Sequence, residues 1–137
     1  MALPKIANPK FNITLPSTGV KVSFRPFTVK EQKILLLAIE ENESIFTANN
    51  IKRILKNCTL NNVNIDNLPI IDIEYYFINL RAKSVGEIVE ARYRCNNEVD
   101  GKPCNNLMET EVDLTKIEPT KKEISPDIQL TDKITVK

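Results

Sequence analysis

Two cysteines are the residues of this 137-residue chain whose spacing could support chemistry. Cys95 and Cys104 flank eight mostly polar residues at the facing ends of two predicted strands, so a paired hairpin would bring the thiols together. Structural zinc takes four thiolate or imidazole ligands, and its cysteines usually come in pairs two to four residues apart. Neither thiol has such a neighbour. A complete site would need Cys58, an acidic residue such as Glu98 or Asp100, or a second chain.

Three interpretations of this pair remain open. The first is a hairpin with two free thiols, the second is half of a zinc site, and the third is a functional disulfide. The shortage of ligands favours the first, so no cofactor is expected, and Cys95 and Cys104 are candidate metal ligands of an incomplete zinc site only. Cys58 lies at an apolar helical position and is expected to be a small core residue.

Catalytic equipment is missing from the sequence. There is no histidine, which removes the commonest general base, triad partner and metal ligand. The three glycines stand alone, so no glycine-rich phosphate loop can be built. The acidic residues fall at outward-facing or capping positions, whereas carboxylate catalysis needs two acids in a shaped cleft. We therefore expect that the protein is not an enzyme.

Charge and hydropathy give no reason to expect nucleic acid or a membrane as the main partner. The chain has 19 basic and 18 acidic residues, for a net charge of +1. It contains no run of about 18 apolar residues and no apolar stretch of the kind that opens a secretory signal. The odd number of cysteines argues against a disulfide framework. These features predict a cytosolic, reduced protein.

The strands that carry the cysteines belong to a predicted α+β fold. Period-two alternation on both sides of a Pro/Gly turn predicts an N-terminal β-hairpin over 11–24. Alternation returns over 87–114, with arginines on one strand and glutamates on the next, which favours antiparallel pairing. Residues 128–136 resemble another short hairpin. About three helices are expected between the first and second of these regions.

The predicted helices differ in how clearly they are marked. Thr28-Val29-Lys30-Glu31 fits a capping box, with Thr28 accepting from the third backbone N–H and Glu31 reaching back to the cap. The following run over 32–41 is apolar on nearly all faces, so this helix should be buried on more than one side. A second helix is expected over about 44–57. A third should begin after Pro69, with Asp72 as its cap.

The chain divides into three predicted parts. Residues 1–10 form an extended N-terminal arm, residues 11–118 a single α+β domain, and residues 119–137 a C-terminal strand extension. The sequence stops in mid-strand, so either another chain completes this strand or the natural protein continues.

Two further motifs admit a structural and a binding interpretation. Arg25-Pro26-Phe27 is read first as a rigid joint in which Pro26 keeps the chain extended, and second as a binding epitope. In Tyr75-Tyr76-Phe77, helical spacing assigns two aromatic residues to the core and leaves Tyr75 as a contact residue.

Three segments together resemble a known family. Phe24–Leu36, Asp72–Tyr75 and Leu80–Glu87 are similar, in this order, to segments of the baseplate proteins of T-even-like phages, specifically the hub subunit or hub assembly group. The resemblance spans Val20–Leu114 and includes both strand cysteines.

The resemblance implies a non-enzymatic phage tail protein, without catalytic residues to carry over. Its partners would be other tail and baseplate proteins in an oligomeric assembly, first in the host cytoplasm and then in the virion tail baseplate. The candidate partner-binding residues are Arg25, Phe27, Tyr75 and Arg81. The alternative is a small zinc-ribbon-like adaptor that contacts nucleic acid, since Arg92, Arg94 and Lys102 lie near the two cysteines.

Overall fold

The computed structural model describes residues 7–40, 44–120, 128–131 and 134–136 of the chain. Within these residues it confirms the predicted α+β fold, with an N-terminal hairpin, three helices and C-terminal antiparallel strands. The elements in chain order are β1 (Phe11–Thr14), β2 (Lys21–Phe24), α1 (Val29–Glu40), α2 (Ser44–Cys58), α3 (Ile70–Ser84), β3 (Ile88–Arg94), β4 (Glu98–Val99), β5 (Lys102–Pro103), β6 (Leu107–Asp113), β7 (Ile128–Thr131) and β8 (Ile134–Val136). Two short 3₁₀ helices span Ile65–Asn67 and Leu114–Lys116.

The N-terminal hairpin has the predicted form. β1 and β2 pair antiparallel, with Phe11 opposite Phe24. Val22 and Phe24 are fully buried, as expected when alternate side chains of a strand point to one face. The Leu15 N–H donates to the Val20 carbonyl at 2.9 Å and closes the turn.

Asp72 has a different role from the predicted one. α3 begins at Ile70 after Pro69, so its start is as predicted, but Asp72 lies inside the first turn. Its buried carboxylate accepts hydrogen bonds from the backbone N–H groups of Ser17 and Thr18 at 2.9 and 3.1 Å. The Thr18 hydroxyl adds a third at 2.7 Å. Asp72 therefore holds the β1–β2 turn instead of capping its own helix.

The start of α1 contains half of the predicted capping box. Glu31 reaches back and accepts from the Thr28 backbone N–H at 2.7 Å. The Thr28 hydroxyl donates to the same carboxylate, which is the reverse of the acceptor role predicted for it. The prediction that α1 is buried on more than one side is wrong, because α1 packs along α2 and buries only Glu31 and Ala38 fully.

The end of α2 covers the outer edge of β2. The Arg25 N–H donates to the Cys58 carbonyl at 3.0 Å, and the Leu60 N–H donates to the Ser23 carbonyl at 2.8 Å. The Asn61 side-chain oxygen accepts from the Ser23 N–H at 3.0 Å. The hairpin is thereby bound to the helices by backbone hydrogen bonds as well as by packing.

One core joins the hairpin to α2 and α3. At its centre the buried ring of Tyr76 meets Phe24 edge-on, with centroids 5.4 Å apart. The Tyr76 hydroxyl lies 2.9 Å from the Thr59 hydroxyl, and burial raises the pKa of Tyr76 to about 12 despite this hydrogen bond. The buried cluster consists of Leu15, Val22, Phe24, Ile54, Leu55, Cys58, Ile65, Ile73, Tyr76 and Leu80.

β3 and β6 form a long two-stranded antiparallel ribbon, as predicted. The expected cross-strand charge pairing is present at one position, where Arg92 and Glu109 form an ion pair of 3.0 Å. Elsewhere Glu90 stands opposite Glu111, and Arg94 stands opposite a leucine. The charges of the ribbon are therefore only partly matched within the chain.

The two ends of the chain are described in part. β7 and β8 pair antiparallel, which confirms the predicted C-terminal hairpin. Residues 7–10 of the predicted arm belong to no helix or strand and are exposed, whereas residues 1–6 lie outside the described residues, as do 121–127 of the predicted extension. The proposed domain boundaries stay predictions.

Candidate partner-binding surface

Arg25 forms a rigid joint between the hairpin and α1. Its guanidinium pairs with the Glu31 carboxylate at 3.0 Å and donates to the backbone carbonyls of Pro26 and Asn57 at 3.0 and 3.3 Å. These bonds fix the chain where β2 ends and α1 begins. This geometry matches the interpretation of Arg25-Pro26-Phe27 as a rigid joint.

Glu31 is the electrostatic centre of this joint. Its burial by itself would raise the pKa of the carboxyl, but hydrogen bonds from Thr28 and Arg25 to the ionised form outweigh that cost. The net effect lowers the pKa of Glu31 from 4.5 to about 2. The joint therefore depends on an ionised carboxylate that is only 5% exposed.

Ser84 connects the joint to the end of α3. Its hydroxyl oxygen accepts from the Phe27 backbone N–H at 3.0 Å, while its proton goes to the Leu80 carbonyl at 2.5 Å. Lys83 pairs with Glu87 at 2.5 Å. The segments Phe24–Leu36 and Leu80–Glu87, which are far apart in sequence, thus form one structural unit.

The four residues predicted to bind partners are placed in different surroundings. Arg25 and Phe27 are half-buried in the joint, where Phe27 packs against the core. Tyr75 is half-buried and lines a shallow pocket beside Ile117. Arg81 is half-buried six positions further along α3, and at about 100° per residue it lies on a different side of the helix. Partner binding by these residues stays a prediction.

An exposed apolar surface on α1 was not predicted. Val29, Leu36, Leu37 and Ile39 are 68%, 55%, 59% and 67% exposed, and we call these four residues the α1 face. The all-round apolarity of the α1 sequence was the signal for it, but sequence alone does not distinguish a helix buried on all sides from one that awaits a partner.

The cysteines lie beyond the regular part of the β3–β6 ribbon, where Asn105 has a positive φ of 50°. The Cys95 N–H donates to the Asn106 carbonyl at 2.9 Å, and the Cys104 N–H donates to the Asn97 carbonyl at 2.8 Å. These are successive hydrogen-bonded pairs, so the cysteines are diagonal neighbours, whose Cα atoms are typically about 7–8 Å apart in antiparallel sheets. Such spacing is wide for a disulfide, and both thiols are free.

The segment between the cysteines is more ordered than the polar loop predicted for it. Val99 pairs with Lys102 across a tight turn, and both turn residues have positive φ, 52° at Asp100 and 73° at Gly101. Asp-Gly is a preferred pair for a two-residue turn of this type. The dipeptide was therefore a sequence signal for this small hairpin.

Metal binding by the cysteines is not tested by the structure. Among the described residues there is no group of three or more Cys, Asp or Glu side chains that could hold a metal ion. Cys58 is fully buried in the core, as predicted, and is not available to the other thiols. The absence of a cofactor stays a prediction, which metal analysis of the reduced protein and of Cys104→Ser would check.

Comparison with known proteins decides the family. The model of the T4 bacteriophage base plate protein family matches residues 7–137. The chain belongs to this family. The resemblance inferred from the sequence motifs is thereby confirmed at the level of a T4-like baseplate protein. Neither the curated proteins nor the solved structures gave a significant match.

Membership in the T4 base plate family gives the structural observations a context. The family is one of bacteriophage base plate proteins, and two of the three segments that resemble it build the Arg25–Glu31 joint and its contact with α3. Within the described part of this base plate protein, no helix is long and apolar enough to cross a membrane.

Proposed function

We propose that this base plate protein is a non-enzymatic component or assembly factor of the baseplate hub that acts by binding other tail proteins. The observation that carries the proposal is the α1 face. In a small protein, several large aliphatic side chains exposed on one helix are typical of a surface that another protein covers.

The magnitude of this exposure supports a binding role. Complete burial of one aliphatic side chain is worth about 1.5–3 kcal/mol, so covering the exposed halves of four such residues would contribute several kcal/mol to association. Leu36, the α1-face residue nearest the middle of the helix, is 55% exposed although its neighbour Leu35 packs against the core. One side of the helix thus packs against the core, and the other side is free to bind a partner.

The predicted partner-binding residues enter the proposal in two ways. Arg25 and Phe27 would act by holding α1 in place, because their contacts lie within the joint. Tyr75 and Arg81 would contact partners directly from α3. Binding would take place in the host cytoplasm during assembly, and a protein that remains in the particle would then lie in the virion tail baseplate.

Complementation of a phage that lacks this gene tests the proposal. Tails made without the protein should have a missing or malformed hub, and wild-type protein should restore them. Leu36→Glu and Ile39→Glu should fail to restore infectivity, because a charge on the α1 face opposes burial by a partner.

The matched control is Leu60→Glu, at a residue that is 47% exposed but outside the α1 face. It should restore infectivity, and circular dichroism should show that all three variants fold. Normal, infectious tails in the absence of the protein would contradict the hub proposal.

A further inference from the structure

The outer edges of the β3–β6 ribbon carry unused backbone hydrogen-bonding groups. In the described part of the chain no other strand pairs with either edge. The seven residue pairs run from Ile88–Asp113 to Arg94–Leu107 without a bulge, and neither strand contains proline. Natural proteins commonly use bulges and prolines to block such edges. This ribbon is regular enough to accept another strand on each side.

The ladder shows which residues offer these groups. The Leu114 N–H donates to the Glu87 carbonyl at 2.8 Å, and the Cys95 N–H donates to the Asn106 carbonyl at 2.9 Å. Because inward and outward groups alternate along a strand, the intervening even-numbered residues of β3 and odd-numbered residues of β6 direct their N–H and C=O groups outward. These residues are Ile88, Glu90, Arg92 and Arg94 on β3, and Leu107, Glu109, Glu111 and Asp113 on β6.

The two edges differ in charge. The far half of the β3 edge is basic, with Arg92 and Arg94, whereas the β6 edge carries three acidic residues. Like charges placed opposite each other are unfavourable, so the acidic β6 edge is poorly suited to pair with its own copy, whereas the arginines of the β3 edge suit it. Arg94 and Glu111 form no ion pair within the described residues, and both are exposed.

We propose that β3 of one copy pairs antiparallel with β6 of a second copy, so that the ribbons form a continuous sheet. Because β3 and β6 run in opposite directions within each copy, this pairing joins copies in the same orientation and leaves one β3 and one β6 edge free. The association is therefore head-to-tail, which generates a ring if it closes. The inference extends the proposed function by naming a second copy as one of the partners.

The charges select a register for this interface. Placing Arg94 opposite Glu111 of the second copy also places Arg92 opposite Asp113. β6 ends at Asp113, so Glu90 meets no strand residue in this register and no like charges are opposed. The register joins Arg94 to Glu111, neither of which has an ion pair among the described residues.

Additional strands would also make the ribbon more stable. An isolated two-stranded sheet is only marginally stable in water. One face of this ribbon is apolar, yet Tyr93 is 50% and Val112 is 38% exposed. Neighbouring copies would extend this face into a wider apolar surface on which side chains of adjacent strands contact each other.

Charge reversal tests the interface without disturbing the Arg92–Glu109 ion pair. Wild-type protein should self-associate in sedimentation velocity, and more strongly at low salt. Arg94→Glu and Glu111→Lys should each weaken association roughly tenfold, because an attractive cross-strand pair becomes a repulsive one. An equimolar mixture of the two variants, and the double variant, should each recover association. Glu40→Lys, at an exposed position of α1 outside the ribbon, is the matched control and should associate like the wild type.

Amide hydrogen exchange supplies a second readout. The outward N–H groups of Arg92 and Arg94 should become protected at the concentrations where the protein associates. The inference would be overturned if the wild-type chain stayed monomeric, or if the charge reversals left its association unchanged. Either result would leave the hub proposal to be decided separately by the complementation of defective phage.

Discussion

At the residue scale, two buried carboxylates connect segments that are distant in sequence. Glu31 binds the end of β2 to the start of α1 through Arg25, and Asp72 binds α3 to the β1–β2 turn. Both accept several hydrogen bonds from charged or backbone donors, which is the condition under which a buried carboxylate is tolerated. The Arg25–Glu31 joint therefore depends on an ionised Glu31, whose pKa is lowered.

The contribution of Glu31 should depend on pH. Its pKa is about 2 in the folded protein and has the ordinary value of 4.5 in the unfolded chain. A lowered pKa stabilises the folded state fully above pH 4.5, and this stabilisation is lost as the pH falls through 4.5 towards 2. We expect Glu31→Gln to lower the free energy of unfolding by about 1–3 kcal/mol at neutral pH and to flatten its dependence on pH in this window.

Urea unfolding at a series of pH values measures this effect. Glu40→Gln, an exposed substitution at the other end of α1, is the control and should leave the acid dependence unchanged. Equal acid dependence in wild type and Glu31→Gln would contradict the assignment.

Loss of the Asp72 carboxylate should destabilise the hairpin turn. Asp72→Ala removes three hydrogen bonds to Ser17 and Thr18, and we expect a loss of about 2–4 kcal/mol in the free energy of unfolding. Glu74→Ala, an exposed change in the same turn of α3, should cost much less. Thermal unfolding compares them, and similar melting temperatures for the two variants would disprove the role given to Asp72.

At the element scale, the elements differ in how much of their apolar surface the core covers. α3 buries Tyr76 and Leu80 completely, whereas α1 leaves the α1 face exposed and the β3–β6 ribbon leaves Tyr93 half-exposed. The α1 face and the ribbon are uncovered surfaces to which binding is proposed, together with the half-buried Tyr75 and Arg81 of α3. Substitutions at the buried positions of α3 are therefore expected to affect stability, and substitutions on the α1 face and the outer edges of the ribbon to affect association.

The three cysteines provide a test of this difference. Burial raises the pKa of the Cys58 thiol to about 11 within the core, whereas Cys104 is exposed and Cys95 is half-exposed. We expect a thiol-specific reagent to label Cys95 and Cys104 in the native protein and Cys58 only after unfolding. Peptide mapping identifies the labelled sites, with protein in denaturant as the control. Rapid native labelling of Cys58 would show that the core is not closed around it.

At the scale of the whole molecule, stability should be unevenly distributed. The hydrophobic cluster lies among β2, α2 and α3, while the β3–β6 ribbon has mostly exposed side chains. We expect amides of Tyr76 and Leu80 to exchange only on global unfolding, and the inward amides of Ala91 and Tyr93 to exchange earlier through local opening. Hydrogen exchange at a concentration below self-association measures this order. Equal protection in both regions would contradict it.

Much of the fold was predictable because it rests on local signals. The alternation over 11–24 specifies a hairpin whichever neighbour it packs on, and the spacing of Ile51, Ile54, Leu55 and Cys58 specifies the buried face of α2. The Asp100-Gly101 pair is an equally local signal for a turn, which the predicted polar loop does not include. The surface that carries the proposed function was less predictable, since exposure of the α1 face depends on which elements reach that helix.

The sequence by itself determined the types and order of the three helices and the longer strands, the core position of Cys58 and the family resemblance, because each follows from residue type and short-range spacing. The tertiary structure decided that Asp72 holds a turn 54–55 residues away, that Ser84 joins two distant motifs, and that α1 is covered on one side only. These features depend on contacts between segments far apart in the chain. Local periodicity carries no information about such contacts, so they become visible only when the packed arrangement is known.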